Sequence, residues 1–167
     1  QIETVMDQSW YSNENKGDYK GSLCTRLRSL TNGINSLVFT TDELQPAELF
    51  DQNVIVDLSR IGSAETKSLI MGILVMKLQE YRMAASQRMN NPLKHVTVLE
   101  EAHNLLKRTS TEQSSESANL LGKSVEMLTN AIAEMRTYGE GFIMADQSPG
   151  LLDMAVIRNT NTKIIMR

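Results

Sequence analysis

Cysteine is nearly missing from this chain: Cys24 is the sole one in 167 residues, so an internal disulfide is excluded. A lone thiol fits a reducing compartment, the cytoplasm, and packs as a small apolar side chain. Proline is scarce too: three prolines and nine glycines exclude a low-complexity chain. Basic charge is not in excess, since 17 Lys and Arg stand against 20 Asp and Glu, a formal net charge of −3. That balance argues against a segment that grips nucleic acid through its phosphates. A long apolar run is also lacking. The longest, residues 69–76, is far short of a membrane span and lies inside an amphipathic pattern. No signal peptide is visible.

What is present suits a globular protein. The chain is long enough for one domain with a core. Hydrophobic residues at 41% and charged residues at 22% are ordinary for a soluble fold. It opens on Gln1 and stops on Arg167 directly after a strand-like TKIIM, and reads as a piece of a longer protein.

Hydrophobic period sets the expected elements. Residues 19–30 read as a helix, with Leu23, Leu27 and Leu30 at helical spacing and Asn32-Gly33 as its stop. Before it, SNENKGD (12–18) reads as a polar loop. Residues 37–40 form a short strand candidate, Pro46 opens a brief helix over 46–50, and NVIVDL (53–58) has a strong strand pattern. Ser63 is a good N-cap for a helix that runs to about Arg88, where Asn90-Asn91-Pro92 ends it. A strand at 95–98 follows. Residues 107–117, KRTSTEQSSES, have no apolar period and read as a flexible loop. A long helix over 117–138 carries the stripe Leu121, Val125, Leu128, Ile132 and Met135, with Gly139 as its cap. Strands at 142–145 and 163–166 flank a short helical segment at 151–158. Buried strands alternating with helices predict an α/β fold, a mainly parallel sheet with helices on both faces.

Such folds place ligands at the carboxyl ends of their strands. The polar residues that interrupt the apolar pattern sit at those ends: Asp57, Glu100 with Glu101, and Asp146 with Gln147. The acidic pair carries the most chemistry. One carboxylate can orient the water shell of Mg²⁺ while its neighbour polarises an attacking water. The plainer alternative is a buried strand whose acids only favour the next helix N-terminus. For Asp57, the alternative is a side chain that holds the following turn.

The blocks NVIVDLSRI, VTVLEEAHNLL, AEMRTYGEGFIMADQSP and NTNTKIIMR together resemble, in order and spacing, the ATPase core of HerA-like proteins in the HerA–FtsK branch of P-loop NTPases. The resemblance covers 53–167, with 1–52 corresponding to a variable helical region that precedes that core. It implies a RecA-like sheet and ATP hydrolysis with Mg²⁺, coupled to movement along duplex DNA. It also implies a homo-oligomer, a ring of six, and leaves room for a partner nuclease. No membrane is implied. Residue by residue, Glu101 matches the catalytic glutamate that activates water, and Glu100 stands where many P-loop enzymes orient Mg²⁺ through water. Gln147 matches the polar sensor of the γ-phosphate. Arg136 matches an arginine that reaches a neighbouring subunit's nucleotide, where it would stabilise charge on the transferring phosphoryl group. Each has a local alternative: Glu100 held by a backbone N–H, Arg136 complementing a helix dipole, Gln147 capping the turn before Pro149. His103 reads as packed or hydrogen-bonded, since neither His95 nor Cys24 has metal-ligand spacing to it.

The chain departs from the family at one point. No G-x-x-x-x-G-K-[ST] occurs anywhere in the sequence; Gly122-Lys123-Ser124 lacks the first glycine and lies within a helix pattern. The sheet is therefore expected to lack its P-loop strand, and the isolated chain is expected to be inactive. Two other readings compete. Glu-Glu-Ala-His suggests a DEAH-box-like helicase, although GFIMADQ stands where that family has Ser-Ala-Thr. A non-enzymatic assembly or regulatory module would keep the sheet without the cradle.

Overall fold

The computed structural model describes residues 2–86, 88–108 and 117–166. The chain divides into two compact units, Gln1–Leu44 and Gln45–Arg167.

The first unit is helical. Helix α1 spans Ile2–Asp7 and helix α2 spans Asn13–Leu30. The expected polar loop at 12–18 is instead the first part of α2. Ser12 is its N-cap, and Lys16 ties the helix back by donating from Nζ to the Asp7 carbonyl at 2.9 Å. The stripe at Leu23 and Leu27 is exposed. Residues 37–40 are not a strand: Leu37 ends a 3₁₀ turn over Gly33–Leu37, and Val38 and Phe39 both donate to the Asn35 carbonyl. Their backbone is satisfied locally, with no need of a sheet partner.

The second unit is α/β. It opens with α3 (Pro46–Phe50), with Pro in the first turn and Glu48 accepting from the Gln45 N–H at 3.1 Å. Helix α4 spans Ala64–Ala85, capped by Ser63, whose Oγ accepts from the Thr66 N–H at 3.3 Å. Strand β1 is His95–Glu100. Helix α5 spans Ser117–Met135 and tightens into a 3₁₀ turn at Arg136–Tyr138. Strand β2 is Glu140–Ala145, and α6 is Met154–Asn159. Most of the polar stretch 107–117 lies outside the described residues.

Strands β1 and β2 pair in parallel, from His95↔Glu140 to Glu100↔Ala145, with α5 in the crossover that parallel pairing requires. Alternation then sorts their side chains. Leu99 is buried and Phe142 and Met144 are partly buried against a core of Val75 and Leu78 from α4, Leu128, Ile132 and Met135 from α5, and Val156 from α6. Leu106 and Met135 are sealed completely. The other face carries Val96, Val98 and Ile143, all exposed. Among the described residues the helices cover one face of the sheet, where two were expected. Segments 53–58 and 163–166 have no strand pairing, and Ile55 and Ile165 are each 94% exposed. Gly139 follows α5 in the left-handed region at φ 91°, and a Cβ there would meet the Pro92 carbonyl oxygen at 2.5 Å. Its carbonyl accepts from the Lys94 N–H at 2.8 Å, which sets the entry of β1 beside β2. Among the described residues no helix is long and apolar enough to cross a membrane.

Candidate functional site at the carboxyl ends of the strands

Parallel pairing sends both strands out at the same edge. Because Glu100 is opposite Ala145, the residues that follow, Glu101 and Asp146, leave the sheet side by side. Glu100 is exposed and shares the open face with Val96 and Val98. Glu101 is exposed too, and its backbone is left-handed at φ 48°, ψ 48°. For a residue with a Cβ that conformation costs about 1–2 kcal/mol. The turn compensates locally: the Glu101 carbonyl accepts from the Asn104 N–H at 2.9 Å, and its Oε2 accepts from Asn104 Nδ2 at 3.1 Å. The kink releases the chain from the strand, so Glu101 need not follow the pleat.

Asp146 closes the other side of the edge. Its side chain is 4% exposed. Oδ2 accepts from the His103 N–H at 2.9 Å and lies 2.8 Å from His103 Nδ1, while Oδ1 accepts from the Ser148 N–H at 2.7 Å. Burial works to raise the Asp146 carboxyl, but the Ser148 and His103 hydrogen bonds outweigh it and hold the group below its ordinary range. An ionised carboxylate only accepts, so the proton of that ring contact resides on His103 Nδ1. Gln147 is the next residue and is exposed in the same turn. Leu106 and Leu152 brace the edge from below: Leu106 accepts from the Asp153 N–H at 2.9 Å, and Lys107 forms a bridge with Leu152.

Of the expected site residues, Glu100, Glu101 and Gln147 thus gather at one edge. Arg136 does not join them. It is exposed in the 3₁₀ turn before β2, at the amino ends of the strands. The length of β2, about 17 Å at ~3.3 Å per residue, separates it from that edge. Asp57 holds its own turn, accepting from the Ser59 N–H at 2.8 Å.

A second polar cluster lies at the amino ends. Glu140 is fully buried; Oε2 accepts from Arg82 Nε at 2.9 Å, and Oε1 accepts from Thr97 Oγ1 at 2.7 Å and lies 2.7 Å from His95 Nδ1. Arg82 also donates to Asp51 Oδ1 at 2.7 Å and to the Phe50 carbonyl. The Tyr81 hydroxyl and Arg82 hold the Asp51 carboxyl below its ordinary range. This cluster ties α3, α4, β1 and β2 together: Glu140 and Arg82 are buried at its centre, and Asp51 and His95 lie toward solvent. Sequence periodicity missed it, because His95 and Glu140 are 45 residues apart and only the parallel register makes them neighbours. A shallow hollow of about 420 Å³ between α4 and α5, lined by Lys123, Glu126 and Glu134 among others, shares no residue with the carboxyl-end edge.

Among the described residues no three His, Cys, Asp or Glu side chains converge to hold a metal ion directly. Glu100 and Glu101 are exposed carboxylates, the acceptor type that holds Mg²⁺ through its waters. The sequence contains no G-x-x-x-x-G-K-[ST]. No family model, no curated protein and no solved structure matches the chain.

Proposed function

We propose that this chain is the carboxyl-terminal part of a HerA-like ATPase core, and that its intact protein hydrolyses ATP with Mg²⁺ to move along duplex DNA. One observation carries the reading: the Glu100↔Ala145 register puts the acidic pair and Gln147 on neighbouring turns at one edge. That is where α/β sheets hold their ligands. Glu101 takes the role of accepting a proton from the attacking water, Glu100 orients the water shell of the ion, and Gln147 faces the terminal phosphate. Bound Mg²⁺ would neutralise charge on the phosphate oxygens.

Two further features support the reading. Arg136 is exposed at the far end of the ladder, as a residue serving a neighbouring subunit's site would be, which favours a ring of copies of this chain, six in the family. Among the described residues the sheet has two strands, with Val96, Val98 and Ile143 exposed on one face, whereas parallel sheets are covered on both. A RecA-like sheet that lacks its P-loop strand would leave neighbouring strands without a partner, which fits the unpaired apolar segments 53–58 and 163–166. The absence of a phosphate-cradling motif also favours a second reading, an assembly module without catalysis.

The deciding experiment is ATP hydrolysis by the full-length protein, with and without duplex DNA, beside a Glu101→Gln variant. DNA-stimulated turnover that the variant abolishes is expected. No turnover by the intact protein would leave the module reading in its place. The isolated 167-residue chain is expected to be inert, and robust hydrolysis by it would overturn the incomplete sheet.

A further inference from the structure

We propose that Asp146 is a positioning residue that locks the turn carrying Glu101 and the turn carrying Gln147 into one unit, an inference that rests on the hydrolytic reading of this edge. Its two oxygens serve different turns. Oδ2 holds the first turn at both the backbone N–H and the ring of His103, and Oδ1 holds the second turn at the Ser148 N–H. Glu101 is two residues before His103, and Gln147 lies between Asp146 and Ser148. Neither can shift against the other without stretching hydrogen bonds to a charged group, the strong kind. The carboxylate is nearly sealed from water, so water cannot readily replace a lost contact.

Aspartate suits the task better than asparagine. An ionised carboxylate offers acceptors on both sides, whereas an amide offers one oxygen and turns its NH₂ toward a donor. The brace adds to the Asn104 contacts that hold the left-handed Glu101 backbone within its own turn. Hydrolysis needs the water-activating carboxylate and the phosphate contact in fixed relation, and a displacement of ~1 Å can cost ~10²-fold in rate.

The test uses the full-length protein, MgATP as the probe, and the variants Asp146→Asn and His103→Ala. For Asp146→Asn, kcat is expected to fall about 10- to 100-fold while the KM for ATP stays within about twofold. Amide exchange should quicken at residues 101–104 as well as at 147–148. A role in folding alone would lower the melting temperature without splitting kcat from KM. His103→Ala removes the ring and keeps the backbone N–H, and is expected to lower kcat about 3- to 10-fold. It decides the matter if Asp146→Asn does not fold. A folded variant with wild-type kcat overturns the clamp and leaves the hydrolytic reading standing. A wild-type protein that does not turn over ATP overturns both.

Discussion

Replacing Glu140 with alanine tests the energetics of the fold most directly. The Glu140 side chain is 0% exposed and Arg82 is 9% exposed, so the pair is shielded from water. Removing one partner of such a pair costs about 3–5 kcal/mol, because the remaining charge stays buried. Arg82 keeps Asp51 and the Phe50 carbonyl, which places its share near the lower bound. The Thr97 hydroxyl loses its acceptor, adding up to ~1 kcal/mol. The expected loss is thus about 3–4 kcal/mol, a large part of the ~5–15 kcal/mol that holds a domain together. In melting temperature that is a drop of about 9–16 °C. Urea and thermal unfolding at neutral pH, followed by circular dichroism, would measure it. A loss under ~1 kcal/mol would refute the reasoning, since the pair would then behave like an exposed ion pair. A double variant, Arg82→Met with Glu140→Leu, should be more stable than Glu140→Leu alone, because no charge is left buried: Asp51, which loses Arg82, is half-exposed and keeps the Tyr81 hydroxyl.

Three other outcomes are expected. Gly139→Ala should cost about 2 kcal/mol or more in urea unfolding, since alanine disfavours φ 91° and its Cβ would sit 2.5 Å from the Pro92 oxygen; an unchanged midpoint would show that the turn relaxes freely. Glu101→Gly should raise stability by about 0.5–1 kcal/mol by relieving the left-handed backbone while removing the proposed base; destabilisation would mean that the side chain outweighs the strain. Asp51 and Asp146 both titrate below the ordinary aspartate value, so the folded state binds fewer protons than the unfolded one. Their contribution is complete above about pH 4 and is lost as pH falls through the lowered folded values. Acid unfolding of Asp146→Asn should therefore be less steep below that pH than that of the wild type, and an equal slope would refute the assignment.

Local pattern made some elements legible and left others hidden. Val125, Leu128, Ile132 and Met135 declared the buried face of α5, and Ser63 declared the start of α4, because each signal is complete within a few residues. NVIVDL and TKIIM carry apolar, β-branched runs of strand type, yet they stay unpaired: strand pattern reports compatibility with a sheet, and pairing also needs a neighbour. The polar start of α2 was hidden because Asn13, Asn15, Gly17 and Asp18 are poor helix formers, and the Ser12 cap and the Lys16 contact to Asp7 hold it instead. At the edge, Glu100, Glu101 and Gln147 were readable as polar residues ending apolar runs. The His103–Asp146 contact was not, since it spans 43 residues and depends on register.

The parallel ladder also bears on how substitutions combine. His95↔Glu140 and Glu100↔Ala145 mark opposite ends of one strand pair, roughly 17 Å apart. The cluster around Glu140 and the clamp at Asp146 share no hydrogen-bond partner. Sites that far apart combine additively to within ~0.5 kcal/mol. The edge can thus vary its chemistry without renegotiating the fold, and stabilising changes made at the Glu140 end can offset strained or destabilising ones at the other.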